Sequence, residues 1–237
     1  MKYTKEYLVN SYETDANLNL KLYSLFQWVT EIAWEHAKLL GAGFEELALS
    51  NRIWILSGIS LQINKLPKWQ DTIKLETWPS GINGLHYSRE FKLYSSNGEV
   101  LASAGSTWVI LDKTISKPVA LQEFKYLGEI TKEKAIDNLF SKIRPHKNLF
   151  PAFKEIAKHT DIDMHKHVNN AVYVRWIENC TGDIFPRRIN TLKIQYLNEI
   201  KLNDEVVIFN EKTENHYYWE ARINGDKLCF RAEVGLF

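Results

Sequence analysis

The sequence predicts an α+β fold of two similar units in tandem, each a long helix wrapped by an antiparallel β-sheet. The first observation is internal repetition, because residues 61–77 resemble 194–213 and residues 86–93 resemble 216–223. The second is that one helical pattern precedes the β-rich runs in each copy. Since a sheet wrapped around a helix buries the apolar surfaces of both, each copy can form a complete unit, which is the hotdog architecture.

The helices follow from hydrophobic periodicity. In residues 20–41, apolar side chains recur at about 3.6-residue spacing, at Leu22, Leu25, Phe26, Val29, Ile32, Ala33 and Leu40. Gly41 and Gly43 are expected to end this helix, because glycine commonly follows the last helical residue. In the second copy, a similar pattern predicts a helix over residues 168–180.

The strands follow from runs rich in β-branched and aromatic residues. In the first copy these runs are 53–63, 71–80, 85–95 and 99–112. Asn97-Gly98 and Asn224-Gly225 predict tight hairpin turns at matching places in the two copies.

The repeat defines the domain organisation. We expect an N-terminal hotdog unit over residues 1–117 and a C-terminal hotdog unit over residues 152–237. Residues 118–151 break the repeat and contain three prolines. This segment is predicted to be a connector that carries a helix over residues 130–143.

Composition excludes several classes of protein. The 237 residues are 45% hydrophobic and 13% aromatic, which is typical of a folded globular chain. A net charge of +1 gives no support for a nucleic-acid binder or for a membrane-surface protein. The N-terminus has no apolar signal region and no run reaches about 18 apolar residues, so a cytoplasmic protein without membrane insertion is expected. Cys180 and Cys229 lack disulfide-framework or zinc-site spacing and predict reduced, partly buried thiols.

Residues 161–170, DIDMHKHVNN, place two carboxylates, two imidazoles and two carboxamides directly before the second helix. One structural alternative is a polar corner that only caps this helix. A metal site is another, because on a strand Asp161, Asp163, His165 and His167 would share one face. No distant ligand set accompanies them, so we expect neither a metal nor an organic cofactor.

The sequence resembles the acyl-acyl carrier protein thioesterases of plant plastids and some bacteria. The resemblance rests on WEHAKLLG (34–41), LPKWQDTIKLETWPSG (66–81), SREF (88–91), STWVILD (106–112), DIDMHKHVNNAVYVRWIEN (161–179) and QYLNEIKLNDEV (195–206). It implies tandem hotdog domains and an acyl carrier protein as partner. It also implies hydrolysis of fatty acyl-carrier thioesters to free fatty acid and holo-carrier protein, which terminates fatty acid synthesis.

The resemblance implies a catalytic set of Asp163, His167 and Glu199. His165 occupies a position where the family has a catalytic Asn, and Ile200 occupies a position where plant members have a Cys. The isoleucine closes a thiol route through that position. A histidine can replace the amide as a hydrogen-bonding or oxyanion group, with activity that depends more strongly on pH.

Thioester hydrolysis needs an activated water or nucleophile and a stabilised oxyanion. Glu199 suits the role of base or nucleophile, and His167 suits the orientation of Glu199 or of the water. Asp163 is expected to fix the tautomer of His167. The start of the second helix offers unpaired N–H groups for the oxyanion, with Asn169 or Asn170 as its cap.

The repeat also predicts which copy is active. Alignment of Thr14-Asp15 with Thr160-Asp161, an offset of 146, places Asn17, Asn19 and Lys21 opposite Asp163, His165 and His167. The strand offset of 133 places Leu66 opposite Glu199. One active site per chain is therefore expected. The helix of the first copy is then available to line an acyl tunnel with Phe26, Val29, Ile32 and Trp34.

Two other functions stay open. An acyl-CoA thioesterase of the same fold is one, and a non-catalytic acyl-binding hotdog protein is the other. The basic residues Arg187-Arg188 and Lys142, Arg144 and Lys147 are candidate docking patches for an acidic carrier protein. A homodimer is possible through exposed sheet edges.

Overall fold

The computed structural model describes residues 1–120, 130–137, 142–181 and 189–237. The chain divides into two compact units, Met1–Leu139 (unit 1) and Phe140–Phe237 (unit 2). This division lies inside the segment predicted as the connector. No helix in the described ranges is both long and apolar enough to cross a bilayer.

Unit 1 is a helix packed on an antiparallel sheet. Its described elements are β1 (Tyr3–Leu8), α1 (Leu22–Leu39), α2 (Phe44–Ala48), β2 (Arg52–Ile63), β3 (Thr72–Asn83), β4 (His86–Ser95), β5 (Val100–Asp112) and β6 (Lys117–Val119). The strand order is β1-β3-β4-β5-β2, and β6 pairs with the end of β5. The predicted strands and the turn at Gly98, whose φ is 87°, are confirmed.

Helix α1 confirms the predicted periodicity. Leu25, Phe26 and Ile32 are almost fully buried against the sheet. Gly41 follows the helix with a φ of 70°, as expected of a C-terminal glycine. Gly43 does not end α1 but precedes the short helix α2. A Cβ at this position would lie 2.9 Å from the Lys38 Cα, so the close approach of the backbone requires glycine.

The predicted helix over residues 130–143 is wrong for its described N-terminal part. Residues 130–137 are irregular, and residues 138–141 lie outside the described ranges. Tertiary hydrogen bonds engage the backbone here: Trp78 Nε1 donates to the Glu133 carbonyl at 3.0 Å, and the Ala135 N–H donates to the buried Glu90 carboxylate at 3.0 Å. These contacts hold the segment against β3 and β4 and outweigh its helical propensity.

Unit 2 repeats this plan. Its described elements are β7 (Phe150–Ile156), α3 (Asn170–Cys180), β8 (Ile189–Tyr196), β9 (Glu205–Lys212), β10 (His216–Ile223) and β11 (Lys227–Leu236). The strand order β7-β9-β10-β11-β8 matches that of unit 1. Asn224 and Gly225, with φ values of 52° and 87°, form the predicted turn between β10 and β11.

A buried carboxylate lies at the same place in the sheet of each unit. In unit 2, Glu220 on β10 is 2% exposed and accepts hydrogen bonds from Tyr218, Arg222 and Arg231 at 2.7 to 3.0 Å. Burial alone would raise the pKa of Glu220, but these three donors outweigh it and lower the pKa. The matching Glu90 in unit 1 is likewise fully buried.

His36 in α1 is a buried histidine with a hydrogen-bond partner on β4. The ring is fully buried in unit 1, stacks on Tyr3, and accepts a hydrogen bond at Nδ1 from Arg89 Nη1 at 3.0 Å. Burial lowers the pKa of His36 to about 4, and the nearby Arg89 and N-terminal charges add to this shift. The imidazole is therefore neutral in the folded protein near pH 7.

His36 should make stability pH-dependent. Because its folded pKa lies below the unfolded value of about 6.5, the unfolded chain takes up the proton first, so stability falls as pH drops below about 6.5. We expect a loss of about 2 kcal/mol from this group between pH 7 and pH 5. His36→Asn, which keeps an acceptor for Arg89 but does not titrate, should flatten the dependence. Urea unfolding of both proteins at the two pH values tests this, and an unchanged pH dependence in the variant would contradict it.

Candidate active site

The motif predicted to carry chemistry forms a tight loop in unit 2. It runs from a short 3₁₀ turn (His159–Asp161) to the start of α3. The Asp163 N–H donates to the His167 carbonyl and the Lys166 N–H donates to the Asp163 carbonyl, both at 2.9 Å. Lys166 takes a left-handed backbone conformation with a φ of 65°. The loop therefore reverses direction within five residues.

A backbone hydrogen bond brings this loop to the chain that follows β8. The Val168 N–H donates to the carbonyl of the fully buried Ile200 at 2.9 Å. As a result His167 Nε2 and Glu199 Oε2 lie 2.9 Å apart. Both side chains keep contact with solvent, at 26% and 46% exposure. Two predicted site residues that are 32 positions apart in sequence thus meet in the fold.

Asp163 does not make its expected contact. Its Oδ1 accepts from the His165 backbone N–H at 2.8 Å. Within the described ranges, Asp163 forms no hydrogen bond with the His167 ring, so the prediction that it fixes the tautomer of His167 is not supported by the geometry. His165 is partly buried and contributes its N–H to the loop.

The start of α3 lies directly after the loop. Asn169 is the N-cap, and its side chain accepts from the Ala171 N–H at 2.9 Å. Asn170 is the first helical residue, and its N–H has no acceptor among the described residues. The helix terminus thus offers one unpaired donor with the partial positive charge of the helix end.

Two features of this region were missed by sequence reasoning. Asp161 is buried and accepts from Arg175 of α3, which ties the helix to the loop. Tyr173, one turn into α3, packs edge-on against Tyr196 and Phe230 with ring centroids 5.2 Å apart. Burial raises the pKa of Tyr173, and the carboxylates of Glu199 and Asp163 add to the rise, so the hydroxyl stays protonated. Tyr173 follows Asn170 by three residues, so helical periodicity places both on one face of α3. This spacing is the sequence signal that could have predicted Tyr173 near the site.

The metal alternative does not fit the backbone. Residues 159–167 form a 3₁₀ turn and a loop, so the period of a strand does not place the four candidate ligands on one face. Across the described ranges, no group of three or more His, Cys, Asp or Glu side chains is arranged to hold a metal ion.

The cysteines match the prediction of reduced, buried thiols. Both are free, and Cys229 is fully buried. Burial raises the pKa of Cys180 to about 12 and that of Cys229 to about 11. Neither thiol is a ready nucleophile near pH 7.

Unit 1 contains the same loop, but the predicted offset of 146 is wrong. The Asp15 N–H donates to the Asn19 carbonyl at 2.8 Å, and Leu18 has a φ of 65°. These features match the loop of unit 2 at an offset of 148. The Thr-Asp dipeptides misled the alignment because they occupy different positions in the two turns.

The corrected offset changes the comparison of the two copies. Asp15 matches Asp163, Asn17 matches His165, Asn19 matches His167 and Lys21 matches Asn169. The Leu20 N–H donates to the Pro67 carbonyl at 2.8 Å as Val168 does to Ile200, so Leu66 still matches Glu199. Unit 1 therefore keeps the aspartate and lacks the His-Glu pair.

Unit 1 also contains an apolar pocket of about 560 Å³, including its open mouth. Of the predicted tunnel residues, Trp34 lines it. Phe26, Val29 and Ile32 are buried in the core and do not line this pocket. The pocket lies beside the second half of α1 because the small side chains of Ala33 and Ala37 leave space there. In the first half of the helix, larger side chains fill the corresponding space. Other lining residues are Trp54, Tyr87, Arg89, Trp108 and Ile130.

Comparison with known proteins gives consistent matches along the chain. This chain is 26% identical over 228 residues to the chloroplastic palmitoyl-acyl carrier protein thioesterase of Arabidopsis thaliana, and the match covers 83% of this chain and 52% of that protein. It is 23% identical over 227 residues to oleoyl-acyl carrier protein thioesterase 1 of the same plant, covering 87% and 62%. The chain therefore spans only about half to three-fifths of these relatives.

Solved structures match over nearly their whole length. An acyl-ACP thioesterase from Bacteroides thetaiotaomicron has a TM-score of 0.93 at 25% identity, covering 100% of this chain and 98% of that one. The 12:0-ACP thioesterase of Umbellularia californica shares the fold, with a TM-score of 0.85 at 17% identity and coverage of 100% and 97%. The expected tandem hotdog fold is thereby confirmed.

Models of the acyl-ACP thioesterase N-terminal and C-terminal domains match residues 1–125 and 150–230. Both models follow the order of the two units, and the second covers the loop with His167 and Glu199. The chain belongs to the acyl-ACP thioesterase family.

Proposed function

We propose that the protein is a thioesterase that hydrolyses fatty acyl-acyl carrier protein to free fatty acid and holo-carrier protein. The observation that carries this proposal is the 2.9 Å contact between His167 Nε2 and Glu199 Oε2 beside the start of α3. Family membership supplies the substrate class. Release of the fatty acid would end its synthesis on the carrier.

The proposed mechanism uses few groups. Glu199 takes a proton from water, whose oxygen attacks the thioester carbonyl carbon, or attacks that carbon itself to form an anhydride that water then opens. His167 holds the Glu199 carboxylate in place and can pass the proton on. We propose that the Asn170 N–H at the start of α3, which has no acceptor among the described residues, stabilises the oxyanion. In the water route the carbon–sulfur bond breaks when the tetrahedral intermediate collapses, and in the anhydride route it breaks as the anhydride forms. The carrier leaves as a thiolate, which takes a proton from His167 or from solvent to become the thiol.

The first test presents one acyl group, palmitoyl, on the carrier protein and on coenzyme A. We expect faster steady-state hydrolysis of the carrier-linked substrate. Preference for coenzyme A would favour an acyl-CoA thioesterase of the same fold. No turnover of either, with retained acyl binding, would favour the non-catalytic alternative.

We further propose that the carrier docks on the basic segment with Lys142, Arg144 and Lys147. These side chains are exposed and form no ion pair with any described residue. The segment is anchored, because Ile143 is buried and His146 stacks on Tyr218 with centroids 4.0 Å apart. The other candidate patch, Arg187-Arg188, lies outside the described residues.

Charge reversal tests the docking segment. Because an acidic partner is steered by opposite charge, Lys142→Glu with Arg144→Glu should raise KM for palmitoyl-carrier protein by about 3- to 10-fold. The exposed Lys113→Glu in unit 1 is the matched control, with an expected change below twofold. Equal effects on a small thioester and on the carrier substrate would contradict docking here.

The remaining assignments stay predictions. We propose that the pocket lined by Trp34 receives the acyl chain, supported by its apolar lining. The role of His165 as a substitute for the family Asn, the cytoplasmic location and the homodimer are also proposed on sequence grounds.

A further inference from the structure

A short segment outside the two repeats contributes to the apolar pocket of unit 1. We call residues 130–137 the strap; they form neither helix nor strand. Ile130, at one end of the strap, lines the pocket. The other lining residues lie between Ala33 and Trp108, within the hotdog itself. The connector therefore supplies part of a wall that the hotdog leaves incomplete.

The strap covers a part of the sheet edge that β1 leaves open. β1 pairs with β3 over residues 72–77, although β3 is longer than this paired part. Beyond it, Trp78 Nε1 donates to the Glu133 carbonyl and Lys134 Nζ donates to the Ser80 hydroxyl, both at 3.0 Å. A loop that covers an open sheet edge protects it from pairing with other chains. Here the covering loop also reaches the pocket.

A buried carboxylate on β4 binds the strap from the face of the sheet opposite the pocket. Successive side chains of a strand point to opposite faces, and Arg89 lines the pocket, so Glu90 points away from it. The Glu90 carboxylate accepts from the Ser80 hydroxyl at 2.6 Å and from the Ala135 N–H at 3.0 Å. Lys134 Nζ lies 3.3 Å from the same carboxylate. Two of these three partners belong to the strap.

The matching carboxylate of unit 2 is satisfied within its own sheet. Glu220 accepts hydrogen bonds from Tyr218, Arg222 and Arg231, which all lie on β10 and β11. Glu90 relies on the strap instead, because a fully buried carboxylate is costly unless donors surround it. The carboxylate of unit 1 therefore ties the strap to the sheet, and the tied strap carries Ile130 to the pocket.

We infer that the strap is a wall of the acyl pocket, and that Ile130 limits the length of the acyl chain that the pocket accepts. Glu90 is a positioning residue, which acts through the strap. This inference rests on the proposed function, because it takes the pocket of unit 1 as the acyl site. It goes further by assigning chain-length selectivity to a segment that neither repeat supplies.

Variants of the wall test the inference on carrier-linked acyl groups from octanoyl to stearoyl. Ile130→Ala should move the maximum of kcat/KM toward longer acyl groups by about two methylenes, since the removed side chain leaves space for the acyl chain. Each further methylene buried there should raise kcat/KM about fourfold. Ile130→Trp should move the maximum toward shorter acyl groups. Ile115→Ala, at an exposed position of unit 1 outside the pocket, is the matched control and should leave the maximum unchanged.

The attachment of the strap is tested without any change to the sheet. Lys134→Ala combined with Ala135→Pro removes both strap partners of Glu90, since proline has no N–H. Because Ile130 is then no longer held, kcat/KM for acyl groups longer than the optimum should rise about 3- to 10-fold relative to the optimum. Glu220→Gln weakens the matching cluster of unit 2 and should lower stability without changing the chain-length preference.

A second readout does not depend on turnover. Displacement of a bound fluorescent fatty acid measures the affinity for free fatty acids from octanoic to stearic acid. The length of highest affinity should shift with the same variants and in the same directions. If wild type hydrolyses no thioester, the proposed function fails, and this binding profile alone decides the inference.

Thermal unfolding establishes which variants are folded before the profiles are compared. Opposite shifts in the two Ile130 variants, with a broader profile in the strap double variant, support the inference. An unchanged maximum in folded Ile130→Ala and Ile130→Trp overturns it. A wild-type profile in the folded double variant overturns the positioning role of Glu90.

Discussion

Glu199→Gln should lower kcat on palmitoyl-carrier protein by about 10²- to 10⁴-fold, the usual contribution of a general base. Glutamine has nearly the same shape and keeps an acceptor for the His167 ring, but it cannot take a proton or act as a nucleophile at neutral pH. Because the side chain is 46% exposed, folding stability should hardly change.

Steady-state kinetics with a thermal-unfolding check measures this effect. Glu205→Gln, an exposed position at the start of β9, is the matched control and should retain full activity. A folded Glu199→Gln protein with wild-type kcat would remove Glu199 from the mechanism.

Glu220→Ala should lower the free energy of unfolding by about 3 to 5 kcal/mol, because it leaves two arginines without their shared buried carboxylate. The cost of losing the carboxylate is greatest for Arg231, because its side chain is only 14% exposed. The Arg222 side chain is 36% exposed and can turn to solvent. Tyr218 also loses the acceptor of its hydroxyl.

Urea unfolding monitored by tryptophan fluorescence measures this loss. The control Glu205→Ala removes an exposed carboxylate and should change stability by less than about 0.5 kcal/mol. A change of that size in Glu220→Ala would show that the arginine cluster contributes nothing net.

Much of the fold could be predicted because local signals and tertiary structure agree. The apolar period of α1, the β-rich runs and the two Asn-Gly turns each specify the element that forms. The prediction of a helix in the connector was wrong because local signals and tertiary structure disagree there. Trp78 and Glu90 bind its backbone from distant strands, and no local pattern reports such contacts.

The candidate site, like the fold, could be predicted from the sequence only in part. The pairing of His167 with Glu199 could be anticipated from the family motif, which joins residues that no local rule connects. The contact of Asp163 with the His165 N–H, instead of with the His167 ring, could not be anticipated, because an aspartate that closes a turn and one that orients a histidine look alike in sequence. The offset between the two loops was also misjudged, since the Thr-Asp dipeptides used to align them lie at different positions in the two turns.

The proposed function requires that this chain turns over acyl-carrier thioesters. The most direct measurement follows free thiol and free fatty acid together when wild type is mixed with excess palmitoyl-carrier protein. We predict many turnovers per chain, with one thiol and one palmitate released per substrate. Acyl binding without release of thiol would contradict the account.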